Sequence, residues 1–337
     1  MYRNFIQQRK YINIILHSFF IITVFFIFPG FSQELSFSDS VKVDSTIDTT
    51  AISSLQDSIK LVQQKPAVID SAAILHPGME LLAINRKKTK FVYFDTTQSI
   101  DRVIENNAFD IGEKLTFIIR YGLIVAGSAT MSIPEIVKVK GYECYHIITN
   151  ARSSKFFSVF FKVNDRVESF MDKDGLFSWR FEKHLREGKY KADQYVDFDH
   201  VKRIVVTNKK DTLRIPPCVQ DVLTTFYYVR TLPLEVGKSV FIDNQADRKL
   251  YPLEIKIHGK ERITVRAGTF DCVVIEPMLR SDSIFKQQGR LTVWLTDDSR
   301  RIPVQMKSKV LIGSITAELK EMKGVLPANE HVELQRN

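Results

Sequence analysis

From Ile111 onward, apolar residues recur at every second position through one short stretch after another. This pattern constrains the fold more than any other feature of the chain. Phe177, Trp179 and Phe181 alternate with Ser178, Arg180 and Glu182, and Leu253, Ile255 and Ile257 alternate with Glu254, Lys256 and His258. Ile263 and Val265 are interleaved with Arg262, Thr264 and Arg266. Toward the end, Leu291, Val293 and Leu295 precede Val304, Met306 and Val310, then Ile315, Ala317 and Leu319. Successive side chains on a strand point to opposite faces, so each stretch predicts a strand with one buried face. Turn-forming residues separate the stretches: Asp172-Lys173-Asp174-Gly175, Glu187-Gly188, Asn208-Lys209-Lys210-Asp211, Ala267-Gly268, Asp297-Asp298-Ser299 and Ile312-Gly313. Roughly a dozen consecutive strands with short links predict one antiparallel sheet that must curl or fold over on itself.

Two segments depart from the alternation. Pro216-Pro217 introduces Val219, Val222, Leu223, Phe226 and Val229 at helical spacing, and Leu232-Pro233 closes the run. One amphipathic helix is therefore expected mid-domain, with its apolar face against the sheet. Between Ser153 and Val163 the residues Phe156, Phe157, Val159, Phe160 and Phe161 are apolar on all sides. That segment reads as a short helix or loop lying over an opening of the sheet. The expected fold is mainly β: an antiparallel, strongly curved sheet or half-open barrel with one central helix, behind a disordered N-terminal tether.

The N-terminus carries Arg3, Arg9 and Lys10, then a hydrophobic stretch from Tyr11 to Phe28 that Pro29-Gly30 breaks. Gly30-Phe31-Ser32 sets small residues around a cleavage point before Gln33. A basic start, a short apolar run and a small-x-small site together describe a secretory signal peptide. The alternative is an uncleaved anchor, since eighteen helical residues reach roughly 27 Å. Glu34 to Lys60 is dominated by Ser, Asp and Thr, with single apolar residues too scattered for a core. The expected organisation is a signal peptide over 1–32, a tether and linker over 33–106, a β-rich domain over 107–325 and a tail over 326–337. The place of work is the periplasm, with membrane contact only through the N-terminus if it stays uncleaved.

The formal charge of +9 suits a membrane surface or an anionic ligand, but the basic residues are interleaved with acids. No basic run with interleaved aromatics points to nucleic acid. Cys144, Cys218 and Cys272 allow at most one internal disulfide and read best as small buried hydrophobes. The histidines are scattered, with no C-x-x-C or H-E-x-x-H spacing, so neither a metal nor a cofactor is expected. Trp294-Leu295-Thr296-Asp297-Asp298 with Arg300-Arg301 is the densest polar cluster, and it reads as a hairpin turn whose carboxylates bond nearby amides. Asp165, Glu168 and Asp172 share one strand, whereas a glycosidase needs two carboxyl groups facing each other from different strands.

Gly112-Glu113-Lys114-Leu115, Tyr121-Gly122, Ala126-Gly127, Pro217 to Arg230 with Tyr227-Tyr228, Ala267-Gly268-Thr269-Phe270-Asp271-Cys272, and Trp294 to Asp298 followed by Ile302-Pro303-Val304 form a set. This set resembles an exported bacterial family, the domain of unknown function numbered three thousand one hundred and eight, over Phe109 to Gly324. The resemblance implies a periplasmic, sheet-dominated domain and carries no catalytic residues. Half-barrel lipoprotein carriers are a more distant architectural analogy. The leading expectation is a non-enzymatic envelope protein that binds a hydrophobic or amphipathic ligand such as a lipid. Its candidate contacts are Phe156, Phe157 and Phe160 as an aromatic flap, with Phe226, Tyr227 and Arg230 at the helix. A scaffold contacting another envelope protein is the first alternative. A glycan-directed enzyme using Asp165, Glu168, Asp297 or Asp298 is the second.

Overall fold

The computed structural model describes residues 79–83, 92–95, 99–208, 211–246, 249–278, 291–309 and 313–328. The expected export signal and the C-terminal end of the expected tail lie outside these residues. So does most of the tether. Strands β1 (Met79–Ala83) and β2 (Val92–Asp95) form a small antiparallel pair. Residues 99–106 lie on the main body: Arg102 donates through Nε to the Gly175 carbonyl at 2.8 Å, and the Ile104 amide donates to Asp174 at 2.9 Å.

The body is a single 15-stranded antiparallel sheet. Its first run comprises β3 (Lys114–Tyr121), β4 (Ile124–Ser132), β5 (Ile136–Val139), β6 (Tyr142–Ser153), β7 (Asn164–Asp172), β8 (Ser178–Glu187), β9 (Tyr190–Asp199), β10 (Ile204–Thr207) and β11 (Thr212–Arg214). Its second comprises β12 (Ser239–Ala246), β13 (Lys249–Val265), β14 (Gly268–Met278), β15 (Leu291–Thr296), β16 (Pro303–Lys309) and β17 (Ser314–Lys323). Each run meanders, except that the long β6 pairs with both β5 and β4, and β17 pairs with β3 to join the runs. The edges are β11 and β12, and the sheet does not close into a barrel.

The sheet curls because its inward rows must all reach one core. Leu115 and Phe117 from β3, Phe198 from β9, Leu253 and Ile255 from β13 and Leu295 from β15 belong to the same buried cluster. Residues near both edges, Val205 of β10 and Ile242 of β12, join it as well. Burying these rows supplies the main drive for the curvature, at about 25 cal/mol per Å² of apolar surface removed from water. The outward faces carry ion pairs instead. Arg180 pairs with Asp197 at 2.9 Å, Arg186 with Asp193 at 2.8 Å, and Arg120 with Glu318 at 2.9 Å.

Strict alternation fails at the start of β8, and the reason is local. Phe170 pairs with Arg180 but Met171 pairs with Ser178, so Trp179 is an extra residue in a bulge. Ser178 therefore turns inward, while Phe177 and Trp179 form a separate cluster with Val139, Cys144 and Cys218. The indole N–H donates to Asp172 at 2.8 Å. All three cysteines are buried thiols that form no disulfide, and Cys218 donates to the Ser99 carbonyl at 3.2 Å.

Among the described residues, two short helices occupy the two departures from alternation. Helix α1 (Lys155–Ser158) is a single turn capped by Ser154, whose hydroxyl accepts from the Phe157 amide. Helix α2 (Val222–Tyr228) runs on into a 3-10 turn, Val229–Thr231. Val219, which shares the helical spacing, instead sits in the extended segment before the cap.

A pocket under the helix that spans the seam

Between β11 and β12 the chain must cross the gap that the open sheet leaves. Cys218 takes a left-handed conformation, φ 55°, and turns the backbone into this seam. The Val219 carbonyl accepts from the Ser178 amide at 3.3 Å, and the Gln220 amide donates to the Asp243 carbonyl at 2.9 Å. Gln245 returns a bond to the Gln220 carbonyl at 2.8 Å, and the Gln220 side chain donates to Leu176 at 2.7 Å. Two residues thus bond to β8 on one side and to β12 on the other.

Asp221 then starts α2. Its Oδ1 accepts from the Leu223 and Thr224 amides at 2.7 and 2.9 Å, and Thr224 completes the capping box. Its other oxygen accepts from the hydroxyls of Ser169 and Ser178. Burial pushes this carboxyl above its ordinary range, while the four donors oppose the shift. The helix therefore hangs from β7 and β8 by its N-terminus.

At the far end of the helix, Arg230 is fully buried and donates to both oxygens of Glu113 at 2.7 Å. It also donates to the Ala108 carbonyl at 3.0 Å and the Arg300 carbonyl at 3.1 Å. Its guanidinium lies 5.3 Å from the Phe109 ring centroid and 5.2 Å from that of Tyr227. Phe109 and Tyr227 meet edge to face at 5.0 Å. The helix is clamped at both ends by charge, and its middle is left to apolar contact.

Beneath that middle lies a cavity of about 70 Å³. Val222, Leu223, Phe226 and Val229 of the helix form one wall, and Leu253, Ile255, Ile275, Val293 and Met306 of β13 to β16 form the other. Three side chains with polar atoms are among its lining, Thr225, Asn244 and Tyr251. The Thr225 hydroxyl donates to the Asp221 carbonyl at 2.7 Å, so it must accept from Asn244 Nδ2 at 2.6 Å. That chain of bonds fixes the carboxamide orientation and leaves Asn244 Oδ1 buried without a partner. A cleft with such apolar walls suits an apolar ligand.

The residues singled out from sequence do not form one site. Phe226 lines the pocket, whereas Tyr227 and Arg230 face the Phe109–Glu113 clamp and do not line it. Phe157 is buried with Ile119, Ala126, Val163 and Ile315 in a small cluster of its own, and Phe156 and Phe160 are exposed. Ile119 and Ile315 continue the inward rows of β3 and β17, so the Phe157 cluster lies at the end of the sheet away from Glu113. Asn244, Ile275 and Val293 were absent from the sequence candidates because alternation marks them only as ordinary strand residues.

The acidic candidates are engaged elsewhere. Asp165 and Glu168 fall on opposite faces of β7. Glu168 faces outward, where it accepts from Arg166 and sits 2.6 Å from His146 Nε2. Glu168, Glu182 and His184 lie close enough to offer three ligand atoms, but each is already within ion-pair distance of a basic or acidic neighbour. Asp298 accepts from the Arg300 amide and guanidinium, and Asp297 pairs with Lys260 at 2.7 Å. Asp165 turns inward and meets Glu187 of β8, both buried, beside the equally buried Lys183. Burial, and then the charge of Asp165, push the Glu187 carboxyl up to about 9. This pair stands in the barrel wall and does not line the pocket.

These features define a half-open β-barrel with a helix across its seam and a small apolar pocket beneath that helix. The chain belongs to the family Protein of unknown function (DUF3108), whose profile matches residues 116–320. It is similar to the crystal structure of a β-barrel-like protein of domain of unknown function DUF1849 from Brucella abortus. That likeness has 12% identity and a TM-score of 0.44, over 64% of this chain and 98% of that one. A Bacteroides fragilis protein with a YmcC-like fold is similar at 10% identity and a TM-score of 0.30, over 66% of this chain and 99% of that one. No curated protein matches the chain.

Proposed function

We propose that this protein works in the bacterial envelope as a non-enzymatic binder of an amphipathic, acyl-type ligand held in the cleft under α2. The observation that carries the reading is the cleft itself, apolar on both walls between α2 and β13 to β16. A dry apolar cavity of about 150 Å³ is known to hold benzene. At about 70 Å³ the cleft takes a few terminal carbons of a chain, and the rest of the ligand lies outside it. Each buried methylene contributes about 0.8 kcal/mol, so affinity grows with the length that α2 can cover. The envelope location is supported by the secretory-type N-terminal sequence.

Native purification followed by solvent extraction and mass spectrometry tests this. The expected result is an apolar species bound to the wild-type chain and missing from Ile275→Trp, which fills the cleft. A fluorescent long-chain fatty acid should bind wild type and be excluded by the same substitution. Failure of both, no extracted species and no probe binding, would sink the reading.

A further inference from the structure

We infer that the end of the barrel carrying α1 is a docking face for an anionic membrane surface. Six large apolar side chains stand in solvent on two loops there: Leu123, Ile124 and Val125 on the β3–β4 hairpin, and Phe156, Val159 and Phe160 around α1. Leu123 is 95% exposed, Val159 81%, Phe156 64% and Phe160 56%. Scattered exposed apolar residues are ordinary, but a contiguous set marks an interaction surface.

The loops form one surface because hydrogen bonds tie them together. The Ser154 amide donates to the Ala126 carbonyl at 2.8 Å, joining α1 to β4. The Gly188 amide donates to the Lys162 carbonyl at 2.7 Å, joining the β8–β9 turn to the segment after α1. Gly127 makes the close approach possible, since a Cβ there would lie 2.3 Å from the Arg152 carbonyl oxygen.

Charge selects the occupant. Residues 121–127, 152–163 and 188–191 contain Arg152, Lys155, Lys162, Lys189 and Lys191 and no aspartate or glutamate. All five basic residues are exposed. Apolar side chains set among unopposed lysines match the interface of an anionic bilayer, where each basic residue near the surface adds about 1 kcal/mol. A protein partner or a second copy would need acidic residues to meet these loops. The position is also apt. Tyr121, Ile315, Ser308 and Leu291 form one paired row across β3, β17, β16 and β15, so the pocket residue Leu291 lies on the same rim as the hairpin. The docking face stands independently of the ligand reading, since it uses none of the walls of the cleft.

A local probe tests it in the full chain, because the hydrophobic N-terminus could bind vesicles by itself. The native cysteines are buried, so Leu123→Cys and Val159→Cys can each take an environment-sensitive fluorophore selectively. Val201→Cys, exposed on the β9–β10 turn at the other end of the sheet, is the control. With phosphatidylglycerol-containing vesicles, the probes at 123 and 159 should shift to the blue and the probe at 201 should not. In a Lys155→Glu, Lys162→Glu background, the vesicle concentration for half-maximal shift should rise about thirtyfold or more. No shift at 123 and 159, an equal shift at 201, or an equal shift on purely phosphatidylcholine vesicles overturns the inference. So does a shift that follows protein concentration without vesicles, which would assign the face to a second copy.

Discussion

Arg230 and Glu113 meet across 117 residues of sequence with neither side chain reaching water. Removing one partner of such a pair strands the other, so Arg230→Met should cost about 3–5 kcal/mol in urea unfolding. Adding Glu113→Leu should restore much of that loss, because no buried charge is then left unmatched. In the sequence, Arg230 read as a candidate ligand contact at the helix, since nothing local names its partner. Glu187 makes the second residue-level case. Its carboxyl, pushed up to about 9 against an ordinary value of 4.5, holds a proton in the fold that the unfolded chain gives up. Stability from this group is complete below its ordinary range and falls as pH rises toward about 9. Glu187→Gln should therefore flatten the decline of melting temperature between about pH 5 and about pH 9, as followed by circular dichroism. Equal slopes for wild type and variant would contradict the assignment.

At the level of elements, α2 has seven residues, too few to be stable alone, and its position depends on its cap. Asp221→Ala removes the acceptor for two helix amides and leaves the Ser169 and Ser178 hydroxyls without their partner. A loss of about 2–4 kcal/mol is expected in denaturant unfolding. Ligand binding should weaken along with it, because the helix is one wall of the cleft. The helix itself was legible from the spacing of Val222, Leu223, Phe226 and Val229. Its start was not, because Val219 fits the same period while its backbone is committed to Ser178. The Trp179 bulge was hidden for a similar reason: Phe177, Trp179 and Phe181 alternate perfectly, and only the pairing partner shows the extra residue. The Phe156–Phe161 segment was readable as a break in the alternation, but its separation from α2 was not, since sequence order does not say which rim a loop occupies.

Across the molecule, the antiparallel sheet and its curvature were open to inference because alternation recurs in nearly every strand and the inward rows need one shared core. The pocket was not, because it arises where β13 to β16 and α2 come together from residues that look like plain core. The strand order has a further kinetic consequence. The meander steps aside locally where β4 pairs with β6 and β5 lies beside β6 alone, and its one distant pairing is that of β17 with β3, with Lys323 opposite Lys114. That pairing closes a loop of nearly the whole domain, while the spatial gap falls mid-chain between β11 and β12. Contacts of long sequence separation slow folding, since loop-closure entropy is lost before they form. A circular permutant that links the C-terminal end of β17 to the start of β3 and opens the chain between α2 and β12 would turn that long-range contact into a hairpin. Stopped-flow refolding of such a permutant should be faster than that of the natural order. The chain would then zip along the sheet from one edge to the other, and the junction of β17 with β3 would no longer be its last step.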